Sequence, residues 1–343
     1  INACWNQEIL PDSLEQADVV TLDKEGKVDD PSNYRPIALL NSVYKIYASM
    51  IQKRLAAELE SKLWQTQFGF RQKHSTAEAL FISRRIQDWA ESSGDKLFLI
   101  LLDWEKAFDR IDHRALIVAL RRMGLPQIYI DNIKIIYRNP SFVVCTDTGT
   151  SSERSQRSGI RQGCPLSPYL FMITLHVIFY DLEMKLHDKG VLNRVNTVID
   201  QLWDLEYADD TILFGRSWSL LQAALTGLQD ESELYGLLCA VMAYEQNQTK
   251  RGHGRRLQFR DGQHVKSTEK ELYLGGQIRT DYNTSYEVGR RIALGEAAYR
   301  DMKRIFLDRK LNVYRKLQIY HACIATKVLY GLETLNITLR NIK

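Results

Sequence analysis

Two adjacent aspartates are the most informative residues in this sequence. Asp209 and Asp210 lie between apolar residues on both sides, in the stretch 205–214 (LEYADDTILF). Asp favours turns, and β-branched and aromatic residues favour strands, so the stretch predicts a hairpin with both carboxylates at its tip. Carboxylates this close raise each other's proton affinity, and in an apolar setting both stay ionised only if a cation compensates. Mg²⁺ is the natural candidate because it prefers oxygen ligands; the alternative is an exposed Asp-Asp turn without function.

A third aspartate favours the functional interpretation. Asp103 stands 106 residues before Asp209 and directly follows six apolar residues, 97–102 (LFLILL). Such a run predicts a strand that is buried on both faces. A carboxylate at the end of a buried strand is costly unless it is paired or binds a metal, so Asp103 is a further candidate metal ligand.

The segment 161–168 (RQGCPLSP) lies between these stretches. Together the three segments resemble the motifs of a reverse transcriptase, and the chain most resembles the non-LTR, LINE-type retrotransposon branch. The motifs occur in the family's order and approximate spacing, and the resemblance covers nearly the whole chain. It implies an α+β, right-hand polymerase fold with fingers, an antiparallel palm sheet and a helical thumb.

The resemblance also implies an activity, RNA-directed DNA synthesis on a primer, with an RNA template, a DNA primer and dNTPs as partners. Asp103, Asp209 and Asp210 are the family's catalytic set. They would hold two Mg²⁺ ions, or Mn²⁺ in their place, because two metals can stabilise the attacking and the leaving oxygen of a phosphoryl transfer together.

Further site residues follow from the same resemblance. Phe108 stands at the family's steric-gate position, where an aromatic ring leaves no room for a 2′-hydroxyl. Nucleotide binding is implied for Phe108, Gln162, Gly163, Arg35, Lys24 and Lys250. Template or primer contacts are implied for Arg71, Tyr207, Leu274, Gly275, Arg290, Arg291 and Arg304.

Simpler interpretations stay open for several of these residues. Phe108 is equally a core aromatic, and Arg71 a structural salt-bridge partner. Gln162 and Gly163 fit a plain turn before a helix, while Lys24 and Arg35 fit a surface loop. Residues 247–250 (NQTK) match the family's Asn-x-x-Lys element, but the flanking residues diverge. The family's usual glycine is also absent near Lys73.

Periodicity and the resemblance together predict the domain organisation. Residues 1–95 and 113–157 are assigned to the fingers, 96–112 and 158–280 to the palm, and 284–343 to the thumb. Ser75 and Glu78 form a capping box at the start of a helix. Further helices are predicted over 43–59, 113–123, 126–137, 220–238, 285–307 and 311–330, another from near Pro165 to beyond Leu175, and hairpins around 147–150 and 260–263.

Composition places few limits on function, but the charge distribution is informative. Residues 1–249 carry 26 Lys and Arg against 33 Asp and Glu, a net charge of −7, whereas residues 250–343 carry 20 against 9, a net charge of +11. A basic segment beside a carboxylate site suits a nucleic-acid enzyme, although a solvated helix surface would also explain it.

The remaining composition concerns the cellular setting. The five cysteines are scattered without a CxxC pair, which favours a reducing compartment and argues against a zinc site. No apolar run reaches the length of a membrane span, so we expect an intracellular protein of nucleus and cytoplasm, in a ribonucleoprotein, and not a secreted one. The chain begins at Ile1, which fits an excerpt of a longer polyprotein whose endonuclease and nucleic-acid-binding modules lie elsewhere.

Two other functions remain open at this stage. An intron-encoded maturase reverse transcriptase would carry a different connection between fingers and thumb. A defunct element copy would keep the fold and RNA binding without synthesis; the intact aspartates disfavour it, and the divergence near Lys250 favours it.

Overall fold

The computed structural model describes residues 1–23, 30, 33–147, 149–192, 202–246, 257–281 and 283–336, with backbone alone for 240–246. The strands are β1 Gln16–Asp23, β2 Tyr34–Leu39, β3 Phe98–Trp104, β4 Ser141–Thr146, β5 Gly149–Thr150, β6 Arg154–Ser155, β7 Asp204–Tyr207, β8 Asp210–Gly215, β9 Cys239–Gln246, β10 Lys270–Tyr273 and β11 Gly276–Arg279.

The helices separate and follow these strands. They are α1 Asn2–Gln7, α2 Asp12–Glu15, α3 Ser42–Leu59, α4 Thr76–Ser93, α5 Ala107–Arg110, α6 His113–Arg122, α7 Gln127–Ile136, α8 Ser167–Asp188, α9 Trp218–Glu233, α10 Thr284–Asp301, α11 Lys303–Leu307, α12 Val313–Tyr320 and α13 Thr326–Leu329. A π-helical turn, His321–Ala325, joins the last two, and a 3₁₀ turn, Leu332–Thr334, follows. Within the described ranges, none of these helices is both long and apolar enough to cross a membrane.

The central sheet has the strand order β7-β8-β3-β9, and all of its pairings are antiparallel. Alternate residues of β3 enter two different apolar clusters. Ile100 and Leu102 pack in the cluster that includes Phe171 of α8, whereas Leu99 and Leu101 pack with Leu80 of α4. Because helices cover both faces, β3 can be apolar from Phe98 to Leu102, as the sequence predicted.

The outer sheet is built from β1, β2, β4, β5 and β6. β1 lies between β2, to which it is antiparallel, and β4, to which it is parallel. β2 lies beside the loop 158–163, since its Ala38 amide donates a 2.7 Å hydrogen bond to the Gln162 carbonyl. This contact brings the outer sheet next to the site described below.

The carboxy-terminal helices α10 to α13 form the third part of the fold. Gly295 of α10 lies so close to α13 that a Cβ atom there would stand 2.3 Å from a Val328 methyl carbon. Small residues permit such close approach between helices. The β10–β11 hairpin packs against this helical layer through contacts discussed below.

Most predicted elements are confirmed, and three need correction. The capping box of Ser75 and Glu78 is present, and the 260–263 turn is closed by a bridge between Gln258 and His264. The helix predicted to reach Leu238 ends at Glu233, however, and the following strand β9 was not predicted at all. The first thumb helix is interrupted at Met302, which separates α10 from α11.

Candidate active site

The three predicted catalytic aspartates lie at one end of the central sheet. Asp103 is near the end of β3, Asp209 is in the turn between β7 and β8, and Asp210 begins β8. The β3–β8 ladder ends with the pair Leu102 and Thr211, so the next residues along each strand are Asp103 and Asp210. The structure therefore brings together side chains that are more than one hundred positions apart.

These carboxylates share one electrostatic environment. Asp103 and Asp209 are exposed, whereas Asp210 is half-buried. Burial raises the pKa of Asp210 to about 6, with further increases from the charges of Asp209 and Asp103. On the neighbouring strand, burial and then the charge of Asp103 raise the pKa of the Cys239 thiol to about 12. The site thus carries excess negative charge, which a divalent cation would compensate.

Whether this site suits a metal ion depends on its carboxylate oxygens, because the part of the chain that the structure describes does not by itself supply a complete set of ligands. Among the described residues, no group of three or more His, Cys, Asp or Glu side chains is arranged to hold a metal ion alone. Mg²⁺ commonly takes only one or two protein carboxylates and completes its shell with water and substrate phosphates. Three carboxylates facing an open end of the sheet fit that mode of binding.

Phe108 lies in α5, the single helical turn that follows β3. Its ring is half-buried and stacks on Phe171, with the ring centroids 5.2 Å apart and the planes inclined by 24°. Its carbonyl accepts a 2.6 Å hydrogen bond from the Ile160 amide. Phe108 therefore packs against the core through Phe171. Part of its ring stays exposed, five residues after Asp103.

Gln162 and Gly163 connect this region to the outer sheet. The Gln162 carboxamide donates a 3.2 Å hydrogen bond to Asp109. Gly163 has φ +114°, and a Cβ atom there would meet the Ala38 carbonyl oxygen at 2.6 Å, so a side chain is excluded. Both residues thus have well-defined places, and Gln162 lines a cavity of about 300 Å³ together with Asp109 and Ala38.

The reverse transcriptase (RNA-dependent DNA polymerase) family matches residues 22–240, well over half of the chain. The chain belongs to this family. It is 28% identical over 365 residues to the RNA-directed DNA polymerase of the mobile element jockey of Drosophila melanogaster, covering 99% of this chain and 37% of that protein. It is 31% identical over 177 residues to the probable RNA-directed DNA polymerase of transposon BS from the same fly, covering 50% of this chain and 19% of that protein.

A solved structure supports the fold. The telomerase of Candida albicans, in complex with a fragment of telomeric RNA, superposes with a TM-score of 0.55 at 11% identity, covering 97% of this chain and 61% of that one. At this identity the likeness concerns the fold alone. It confirms the right-hand polymerase fold predicted from the sequence, and the relatives confirm a non-LTR retrotransposon reverse transcriptase domain. The chain spans less than two fifths of either curated relative.

The cations predicted to hold the reverse transcriptase's nucleotide are placed only in part. Arg35 lies exposed on β2, opposite Leu22 of β1. Lys24 and Lys250 lie outside the described residues. A role for these three residues at the triphosphate remains a prediction.

Arg71 has a structural task in this domain. Its guanidinium pairs with the Glu60 carboxylate at 2.8 Å and donates to the carbonyl oxygens of Trp64 and Gln67 at 2.7 and 2.9 Å. Only 8% of the side chain is exposed. The structure therefore supports the salt-bridge alternative for Arg71 rather than the template contact, because its donors are already used internally.

The primer-grip prediction falls on the turn of the β10–β11 hairpin. Leu274 and Gly275 are its two central residues, with φ +48° and +70°. The Gly275 carbonyl accepts hydrogen bonds from both Arg290 and Arg291 of α10, and both arginines pair with the buried Glu287. The turn is thus fastened to the carboxy-terminal helices.

The arginines predicted to bind the duplex differ in how far they are exposed. Arg291 is 6% exposed and stacks over the Tyr330 ring at 4.7 Å, so its charge serves the interior and a phosphate contact is not supported. Arg290 is half-buried, and Arg304 is exposed on α11. Tyr207 is half-buried and packs in the cluster that contains Leu99 and Leu101.

Two residues close to the active site were given no role by the sequence analysis. Gln67 and Glu206 are hydrogen-bonded behind the Asp209–Asp210 turn, at 2% and 1% exposure. The only sequence signal was the presence of polar residues among apolar ones, Gln67 before Phe68 and Glu206 inside a strand. The pairing itself joins positions 139 residues apart, which no local pattern reveals.

Proposed function

We propose that this chain catalyses RNA-templated DNA synthesis from a primer 3′-hydroxyl, as part of retrotransposition. The observation that carries the proposal is the convergence of Asp103, Asp209 and Asp210 at one end of the central sheet. Burial, and then the charges of Asp209 and Asp103, raise the pKa of Asp210. Such a set is suited to divalent cations, which take carboxylate oxygens and substrate phosphates as ligands together.

The metal requirement is part of the proposal. Asp103, Asp209 and Asp210 would hold two Mg²⁺ ions, or Mn²⁺, which when bound would lower the pKa of the primer hydroxyl and neutralise the leaving pyrophosphate. The pKa of Asp210 is raised to about 6, and a bound cation would favour its ionised form. Asp209, in the turn, is the more exposed ligand beside it.

The nucleotide is proposed to lie above α5 and the loop 158–163. The exposed part of the Phe108 ring would contact the sugar and exclude a 2′-hydroxyl. Gln162, fixed by Asp109, and Gly163, fixed against Ala38, would present a flat backbone surface to the new base pair. Arg35, with Lys24 and Lys250, would contribute positive charge towards the triphosphate.

The nucleic-acid path is proposed to run along the carboxy-terminal helices. Their described part carries exposed cations that are suited to backbone phosphates: Arg300, Lys303, Arg304, Arg309, Lys310 and Arg315. In this assignment residues 284–343 are the thumb, 96–112 and 158–280 the palm, and 1–95 and 113–157 the fingers. RNA template, DNA primer and dNTPs are the proposed partners, within a longer polyprotein acting as a ribonucleoprotein in cytoplasm and nucleus.

A primer-extension assay on RNA and on DNA templates tests the proposal. We expect Mg²⁺-dependent extension on RNA, abolished by Asp209→Asn. A chain that binds RNA but extends neither template would support the defunct-copy alternative instead. An intron-encoded maturase is disfavoured by the relatives named above, which are mobile-element polymerases.

A further inference from the structure

A short segment of chain covers the outer edge of the central sheet behind the catalytic turn. Residues 66–69 run beside β7, whose other edge pairs with β8. The Phe68 amide donates to the Glu206 carbonyl at 2.8 Å, and the Glu206 amide donates to the Thr66 carbonyl at 2.9 Å. The segment therefore behaves as an added parallel strand and ties β7 to the protein body.

The side chain of Gln67 extends this contact into the turn itself. Its Oε1 accepts hydrogen bonds from the Gly69 amide at 2.8 Å and from the Ala208 amide at 3.2 Å. Its Nε2 donates to Oε2 of Glu206 at 2.8 Å. One buried carboxamide thus contacts the strand before the turn and the residue directly before Asp209.

The turn needs such support because its backbone is strained. Ala208 has φ +58°, while Asp209 is absent from the residues with positive φ. A left-handed conformation costs a residue with a Cβ atom about 1–2 kcal/mol and persists only where the surroundings enforce it. The backbone of Gly69 packs directly against Ala208, since a Cβ atom on Gly69 would lie 2.1 Å from the Ala208 nitrogen. This close contact helps to hold Ala208 in its left-handed conformation.

Glu206 completes the cluster as a buried carboxyl group, with 1% of the residue exposed. Burial, and then the charge of Asp204, hold the pKa of Glu206 well above its usual range. Its Oε1 has no hydrogen-bond partner within the described residues. The hydrogen bond between Gln67 and Glu206 therefore fixes the position of this buried carboxyl group beside the turn.

We propose that Gln67 is a positioning residue for metal binding, whose carboxamide fixes Ala208 and thereby places Asp209 and Asp210 relative to Asp103. This inference rests on the proposed function for its kinetic consequence, but the placement of the turn can be measured independently. Gln67 itself contacts neither metal nor substrate. It acts through the backbone of the turn.

The test uses an exchange of functional groups in the full chain. Gln67→Glu keeps an acceptor for Gly69 and Ala208 but turns an oxygen towards Glu206. Glu206→Gln supplies an amide donor, so the double variant restores an amide–carboxyl pair in the reverse sense. Removing partners that orient metal ligands typically costs about 10–100-fold in metal affinity or activity.

We expect Gln67→Glu to raise the Mg²⁺ concentration for half-maximal extension and to lower kcat by about tenfold or more, with the KM for template–primer unchanged. The double variant should recover most of this loss, and Glu206→Gln alone should stay near wild type. Thr66→Val is the matched control, because it removes a 2.8 Å bond to Asp204 at the far end of β7. It should lower Tm without changing the Mg²⁺ requirement.

Two measurements do not depend on polymerase activity. Hydrogen exchange of the peptide 203–214 should be faster in Gln67→Glu than in Thr66→Val at matched stability, and Mn²⁺ binding by the free protein should be weaker. If the wild type extends no primer, these measurements still decide the inference. Unchanged exchange and unchanged Mn²⁺ binding in Gln67→Glu, or a double variant no better than the single one, would overturn it.

Discussion

The hydroxyl of Tyr330 donates a 2.8 Å hydrogen bond to the carbonyl oxygen of Leu274. This bond joins the end of the last helix to the turn of the β10–β11 hairpin, across 56 positions of sequence. The same hydroxyl lies 3.1 Å from the Thr76 hydroxyl at the start of α4. One phenol therefore links the proposed thumb, the proposed primer grip and α4 of the proposed fingers.

We expect Tyr330→Phe to lower the free energy of unfolding by about 1 kcal/mol, the usual net value of one hydrogen bond. It should also raise the KM for template–primer, because the turn keeps its contacts through Gly275 but loses the bond that holds Leu274 to the last helix. Chemical denaturation and steady-state extension measure the two effects. Tyr314→Phe, at a 67% exposed ring, is the control and should change neither. An unchanged KM in a destabilised Tyr330→Phe would limit the bond to a role in folding.

The carboxylate assignment is tested by charge removal. Asp103→Asn or Asp209→Asn should abolish Mg²⁺-dependent extension while template binding stays nearly intact, because these side chains hold metal and not the duplex. Loss of one ligand should cost several kcal/mol of transition-state stabilisation, or about a thousandfold in rate. Extension rates and filter binding are the measurements, with the exposed Asp188→Asn as control. Near wild-type extension by either variant would refute the assignment.

The ring of Phe108 is the proposed gate that excludes ribonucleotides. Phe108→Val should incorporate ribonucleotides more readily, with a smaller loss in deoxynucleotide use, because exclusion by bulk needs no hydrogen bond to the substrate. The competing role is packing on Phe171, for which truncation would cost roughly 3 kcal/mol or more and depress both activities together.

Matched kinetics with both nucleotides and a melting curve separate these outcomes. Phe171→Leu disturbs the same stack from the fully buried side. It should lower Tm without changing the ratio of the two efficiencies. The same result in Phe108→Val would contradict the gate.

The sequence located the catalytic end of the fold because its signals are local. An apolar run ending in Asp103, a hairpin pattern around Asp209 and a capping box at Ser75 each need fewer than fifteen residues to be recognised. The use of the arginines could not be found this way. Whether Arg71 faces Glu60 and Arg291 faces Gly275 depends on how distant elements pack. The sequence alone does not distinguish an arginine that pairs inside the protein from one that contacts nucleic acid.

Strand β9 shows the same limit in the backbone. The stretch 239–246 (CAVMAYEQ) follows a helical pattern, and the turn signal before it is Gly236, which has φ +78°. It becomes a strand because β3 offers a free edge, on which Cys239 pairs with Trp104. A tertiary contact decides this element, since strand propensity depends strongly on neighbours.

Salt dependence tests the nucleic-acid path. The double variant Arg304→Gln, Lys310→Gln should reduce the slope of log Kd against log salt by up to about 1.8 if each side chain contacts one phosphate of a B-form duplex. Removing residues 284–343 should flatten the slope further. Arg114→Gln with Lys189→Gln, at two exposed positions elsewhere, is the control pair and should leave the slope unchanged. An equal effect of both pairs would place the path elsewhere.

The pH dependence of stability has a clear origin in His176 of α8. Burial lowers the pKa of its imidazole to about 4, from 6.5, and its ring packs on Trp64 with the centroids 5.4 Å apart. Between these two pH values the unfolded chain binds a proton that the folded protein does not. The contribution of His176 to stability is therefore fully present above pH 6.5 and is lost as the pH falls towards 4, by about 1.4 kcal/mol per pH unit and roughly 3 kcal/mol in all.

His176→Phe keeps an aromatic ring beside Trp64 and removes the proton-binding group. We expect its free energy of unfolding to match or exceed that of the wild type at pH 7.5, and its advantage to grow by about 2 kcal/mol at pH 5. Urea denaturation at four pH values between 4.5 and 7.5 measures this difference. His321→Phe, at an exposed ring on the π-helical turn, is the matched control. If the wild type and His176→Phe lose stability in parallel on acidification, His176 is not the cause of the loss, and another group must bind the proton on unfolding.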